Sequence, residues 1–208
     1  MAVILCYGDS NTHGTLPMKI PGVSDRAPRG DRWTDVMAAL LGPDHQVIPE
    51  GLPGRTTVHD DHIEGGARNG LSVLPAVIHS HKPLDFMVLM IGTNDLKPRF
   101  SVTANEIARS VERLILTARA EGEVSDILVV APAPVREVGT LREVFAGAEA
   151  RQEGLDDQIR AVAERHGCGF LAAGDHVKVS DKDGVHWEVD QQRHFGAIMA
   201  RAVLDHLK

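Results

Sequence analysis

Cysteine, aromatic side chains and basic charge are all scarce in this 208-residue chain, and each scarcity removes a class of function. Two cysteines, Cys6 and Cys168, neither build a disulfide framework nor suffice for a zinc site. Each lies in an apolar stretch, so both are expected to be reduced, buried thiols of a cytoplasmic protein. Aromatic residues make up 4% of the chain, and Trp33 and Trp187 are its only tryptophans, which leaves little for a sugar-stacking platform. Lys and Arg number 22 against 29 Asp and Glu, a net charge of −7 with no basic block, so neither nucleic acid nor an anionic membrane is an expected partner. No apolar run is long enough to span a bilayer, and the first residues lack the basic start of a secretory signal. A small substrate suits this balance better.

What is present is an ordinary globular composition, 43% hydrophobic and 25% charged, over a length that suits one domain spanning 1–208. Five short apolar runs, at 3–7, 46–49, 85–91, 127–131 and 169–172, alternate with amphipathic stretches. Several are apolar throughout, as strands covered on both faces are. Helical spacing follows Asp31, a candidate N-cap, through Trp33, Val36, Met37, Leu40 and Leu41. It recurs over 69–81, after the capping-box spacing Thr103 to Glu106, over 145–166, and from 190 to 207. Alternating strands and helices with right-handed crossovers predict an α/β fold, a five-stranded parallel sheet between two helical layers. Two long proline-bearing loops, 13–30 and 132–144, are candidate pocket walls or subunit contacts.

With the flavodoxin-like strand order 2-1-3-4-5, the loops after the first three strands emerge together at the carboxyl edge, where such sheets bind ligands. Those loops carry Gly8-Asp9-Ser10-Asn11, then Gly51 to Thr57 around Gly54, then Gly92-Thr93-Asn94-Asp95. Before the last helix comes Asp183-Gly184-Val185-His186. A serine hydroxyl becomes a nucleophile when an imidazole takes its proton, and that imidazole needs an acceptor on its other nitrogen. Ser10, His186 and Asp183 are the candidates for those roles. The backbone N–H groups of Ser10 and Gly54 and the side-chain amide of Asn94 are candidate donors to an oxyanion. Asp9 and Asp95 are read as turn residues that bond nearby amides. His59-Asp60-Asp61-His62 has metal-ligand residue types but is read as a solvated loop, so no metal or other cofactor is expected.

These blocks resemble, in order and over nearly the whole chain, those of the SGNH (GDSL-type) hydrolases. The likeness is nearest to small bacterial arylesterases and acyltransferases, through Ile4 to Ser10, Arg32-Trp33-Thr34, Glu50-Gly51-Leu52, Arg55-Thr56-Thr57 and Gly92 to Asp95. The resemblance implies a three-layer α/β/α SGNH fold and a serine esterase free of metal or organic cofactor. It assigns Ser10 as nucleophile, His186 as base, Asp183 as its orienter, and Ser10, Gly54 and Asn94 as the oxyanion hole. It further implies a small-molecule ester substrate, possible acyl transfer to alcohols or hydrogen peroxide, and a homo-oligomer. By analogy Asn11, Lys97, Phe100, Phe145 and Val185 line the acyl or alcohol pocket. Just after the nucleophile the chain departs from its relatives, with Asn11 where leucine is usual and His13 and Thr15 where the acyltransferases carry tryptophan.

Three other readings compete. A carbohydrate O-deacetylase of the same superfamily differs only in the alcohol half of the ester. A flavodoxin-like ligand-binding module would cradle phosphate at Gly8 to Thr12, but neither G-x-G-x-x-G nor G-x-x-x-x-G-K-[ST] occurs at that loop. An α/β-hydrolase fold would require a G-x-S-x-G elbow, which is missing around Ser10.

Overall fold

The computed structural model describes residues 1–207. Five strands, β1 (Ala2–Gly8), β2 (His45–Gly51), β3 (Leu84–Met90), β4 (Val124–Ala131) and β5 (Gly169–Ala172), form one parallel sheet in the order β2-β1-β3-β4-β5. The central strands β1, β3 and the end of β4 are buried, whereas β2 at the edge is only partly so. Helices cover both faces. One core gathers Leu5, Met87, Leu89 and Val129 under α3 (Gly70–His81), α4 (Ala104–Ala120) and α6 (Leu155–Arg165). The other gathers Ile4, Cys6, Phe86, Val88 and Val130 under α2 (Trp33–Leu41) and α7 (Val189–His206). Successive side chains of each strand alternate between these two cores, which is why the strands read as continuous apolar runs.

Local capping signals account for some helix starts. Thr103 and Glu106 close the capping box of α4, whose apolar stripe Ile107, Val111, Leu114 and Ala118 is buried. Asn69 caps α3, and Pro75 is accommodated inside it. Four expectations need correction. The 145–166 stretch is not one helix: Gly147 and Gly154, both with left-handed φ, separate α5 (Ala148–Arg151) from α6. Asp31 does not cap α2, where Arg32 holds the N-cap position, but pairs with Arg193 of α7 at 2.7 Å. Leu40 is exposed rather than part of the buried face of α2. Cys6 is buried but Cys168 is half-buried, with Arg119 against its sulfur.

The loops at the carboxyl edge are held by main-chain bonds. Loop 132–144 pins the segment that carries Asp183: Arg136 N–H donates to the Gly184 carbonyl (2.8 Å) and Thr140 N–H to that of Lys182 (2.9 Å). The two backbones approach so closely that a Cβ on Gly184, at φ +78°, would lie 2.0 Å from the Arg136 carbonyl oxygen. Loop 13–30 joins them through Thr140 Oγ1, which donates to the Met18 carbonyl at 2.6 Å.

Candidate active site

Ser10 opens α1 (Ser10–His13), a single turn that follows β1 directly. Asp9 is its N-cap and accepts the Asn11 N–H, so the turn presents the Ser10 hydroxyl at the sheet edge. His186 Nε2 lies 3.0 Å from Ser10 Oγ, and His186 Nδ1 lies 2.6 Å from Asp183 Oδ2. All three side chains are at least 95% buried.

Asp183 has a dense set of partners. Its Oδ1 accepts the N–H groups of Val185 and His186, both at 2.9 Å, and its Oδ2 also accepts Met18 N–H at 2.8 Å. Burial by itself would raise this carboxyl. The hydrogen bond and charge of His186, with the backbone donors, outweigh it and hold Asp183 below the usual aspartate range. The carboxylate therefore accepts from Nδ1 and leaves Nε2 free to take a proton from Ser10.

Asn11 does not line the pocket. It is buried and its amide donates to the Val185 carbonyl (3.2 Å), while Gln192 of α7 donates to the Asn11 carbonyl (3.1 Å) and accepts Trp33 N–H (3.0 Å). This chain of bonds ties the serine turn to the histidine loop. His13 and Thr15 bond each other outside the cavity.

Gly54 sits at φ +79°, in a turn where Arg55 N–H reaches the Leu52 carbonyl and Leu52 N–H that of Gly8. Arg55, buried, lies over the Tyr7 ring at 4.1 Å and donates to the carbonyls of Gly8 and Glu50, locking this turn to β1 and β2. Asn94 Nδ2 donates to the Arg55 carbonyl at 3.0 Å, which orients its amide beside Gly54. Asp95, also buried, accepts the N–H and hydroxyl of Thr57, and its burial raises it to about 7 despite those bonds. Asp9 is likewise raised by burial, against the opposing bonds from Asn11 and Thr93. Asp9 holds its own turn, as its position implies, whereas Asp95 ties its loop to the loop after β2 through Thr57.

Ser10, Gly54, Asn94 and His186 open together onto a cavity of about 480 Å³. Met18, Leu141, Val144, Phe145 and Val185 form its apolar side, drawn largely from the two long loops. Lys97, Phe145 and Val185 thus lie where analogy places them, whereas Phe100 stacks on His59 outside. The rest of the lining includes charged side chains. Lys97, almost wholly buried, pairs with Glu64, and Arg99 bridges Glu64 and Asp61, each at 2.6 Å. Asp61 is therefore not part of a solvated loop: it is buried, and despite its burial the Arg99 bond holds its carboxyl low. Glu64, Arg68 and Arg99 were not singled out from the sequence, because nothing local marks a loop charge as facing a cavity.

A buried serine, imidazole and carboxylate in sequence at the carboxyl edge of a doubly wound sheet define the class of serine hydrolases. The chain belongs to the GDSL-like lipase/acylhydrolase family, whose model matches residues 6–202. Its structure is similar to Est24, a carbohydrate acetylesterase from Sinorhizobium meliloti, with 34% identity, 99% of each chain covered and a TM-score of 0.93. The M. smegmatis aryl esterase matches with 33% identity, 99% of each chain covered and a TM-score of 0.93. A putative arylesterase from Agrobacterium tumefaciens is 32% identical, again with 99% of each chain covered and a TM-score of 0.85. No curated protein matches the chain. The enzyme is a carboxylic ester hydrolase of the SGNH type. Among the described residues no helix is long and apolar enough to cross a membrane.

Proposed function

We propose that the enzyme hydrolyses small acyl or aryl esters through an acyl-enzyme on Ser10. The observation that carries this reading is the relay from Ser10 Oγ to His186 Nε2 (3.0 Å) and from Nδ1 to Asp183 (2.6 Å), open to one cavity. With the ester carbonyl above Ser10, Oγ attacks carbon while its proton moves to Nε2. The carbonyl oxygen, now an oxyanion, receives hydrogen bonds from Ser10 N–H, Gly54 N–H and the second amide hydrogen of Asn94. Collapse breaks the bond to the alcohol oxygen, which leaves with the proton from His186. Water then enters, gives a proton to the same imidazole and attacks the acyl carbon, releasing acid and free Ser10.

The apolar wall of Leu141, Val144, Phe145 and Val185 suits a compact acyl or aryl group. Trp33, Trp187 and Tyr7 are fully buried in the core and offer no face for a sugar to stack on, which favours such esters over carbohydrate acetates. Hydrolysis is the expected main outcome, with alcohol or hydrogen peroxide as a competing acyl acceptor. The reading extends to a homo-oligomer, since Ile20 and Val23 of loop 13–30 are 62% and 61% exposed; a monomer by light scattering would overturn that part.

The test is the initial rate on p-nitrophenyl acetate for the wild type and for Ser10→Ala and His186→Ala at matched folded concentration. The wild type should be active and both variants at background. Equal rates in wild type and Ser10→Ala would remove the nucleophile assignment.

A further inference from the structure

The charged wall of the cavity does not balance itself. Lys97 and Arg99 are its paired cations, answered by Glu64 on the wall and Asp61 behind it. Arg68 lies on the same wall, and its guanidinium has neither an ion pair nor a hydrogen bond; its Nε is buried and unpartnered. Glu64 is the one carboxylate lining the cavity; its Oε1 already accepts from both Lys97 and Arg99, and its Oε2, which a Cβ on Gly54 would meet at 2.7 Å, lies near Arg68 without a hydrogen bond to it.

Arg68 is also well placed. Its backbone is fixed, because Thr56 N–H donates to the Arg68 carbonyl at 2.9 Å and Arg68 N–H to that of Gly66 at 2.9 Å. Its side chain then passes the oxyanion turn: a Cβ on Gly54 would lie 3.2 Å from Arg68 Nε and 3.3 Å from its Cδ. An arginine held beside the Gly54 turn with its donors unused is a fork with no carboxylate bonded to it. The donors a carboxylate entering the cavity would meet are the two Nη groups, which make no hydrogen bond and, unlike Nε, are not buried, and a carboxylate that pairs with them there binds selectively.

We propose that Arg68 is a specificity residue that binds an anionic substituent, a carboxylate, carried by the ester on its acyl or its alcohol part. The proposal rests on the esterase reading above. It runs against the overall charge of −7, which disfavours anions at long range, so selectivity has to come from this local contact. The substrate class is thus esters with a free carboxylate a few bonds from the scissile carbonyl.

Two matched pairs of esters separate the possibilities. Mono-4-nitrophenyl succinate against its methyl ester places the anion on the acyl side, and 4-acetoxybenzoate against its methyl ester places it on the alcohol side. The quantity read is the ratio of kcat/KM for the anionic to the neutral member, which does not depend on how much of a variant is folded. In at least one pair the wild-type ratio should exceed one, fall about tenfold or more in Arg68→Gln, and recover in part in Arg68→Lys. The wild-type preference should also shrink between about 50 and 500 mM salt, since the site is partly open to solvent. If both members lose rate together and neither ratio moves, Arg68 serves the oxyanion or the fold and the proposal fails. A wild type active on the neutral esters with a ratio indifferent to Arg68 overturns the proposal and leaves the esterase reading standing. A wild type inactive on all four overturns both.

Discussion

Replacing Asp183 by Asn tests the relay at its most constrained atom. The side chain is isosteric, but an amide offers one acceptor oxygen and one donor nitrogen where the carboxylate offers two acceptors. If the amide oxygen takes the Oδ1 position it keeps the N–H groups of Val185 and His186, and the NH2 then faces Met18 N–H and His186 Nδ1. The flipped amide instead sets NH2 against two backbone N–H groups, so the first orientation should win. Met18 N–H then loses its acceptor, at a cost of about 1–3 kcal/mol, and loop 13–30 loosens. His186 is driven to the tautomer with its proton on Nε2, facing Ser10, and kcat should fall by about 10⁴. The assays are p-nitrophenyl acetate turnover and urea unfolding, each repeated across pH. Because native Asp183 titrates below its unfolded value, its stabilising contribution is complete above about pH 3.9. It is lost as pH falls through the native value, so the stability gap between wild type and variant should close in acid. A variant that keeps a tenth of wild-type kcat, or a gap that widens in acid, would refute this reasoning.

Asn94→Ala should lower kcat on p-nitrophenyl acetate by about 10²–10³ with little change in KM, since the amide is asked to bond the oxyanion and not the ground state; an unchanged kcat removes it from the oxyanion hole. Gly184→Ala should destabilise the fold by about 2 kcal/mol or more, because a left-handed φ and a backbone carbonyl 2.0 Å from the new Cβ leave no side chain to yield; unfolding midpoints and turnover should drop together, and wild-type stability would contradict the packing. Asp95, raised to about 7 in the fold, contributes stability that is fully present below about pH 3.9 and lost as pH rises through 7. Asp95→Asn should therefore gain on the wild type in urea unfolding as pH goes from about 5 to 8, and a gap that is constant over that range would count against the shift.

Sequence by itself determined the layers and the candidate catalytic trio. The strands are legible because burial on both faces removes polar residues from consecutive positions, as in β3, and α4 because its capping box and apolar stripe are local. Ser10, Asp183 and His186 are legible because each is set in a short block whose spacing serves one turn: Asp183 bonds the backbone of residues two and three places on, which only a local loop allows. Gly54 and Asn94 came from their positions after successive strands of a parallel sheet.

What only tertiary structure decided is everything that joins segments far apart in the chain. Met18 reaches Asp183 across 165 residues and Asn11 reaches Val185 across 174, so neither contact leaves a periodic or compositional trace. For the same reason Asn11 passed for a pocket residue and Asp61 for a solvated one, since a side chain's polarity does not state which way its loop turns. Arg68 is the sharpest case. Its charge is plain in the sequence, yet that Glu64 and Asp61 pair with Lys97 and Arg99 and leave it without an ion pair depends on how two segments, 61–68 and 97–99, meet at one cavity.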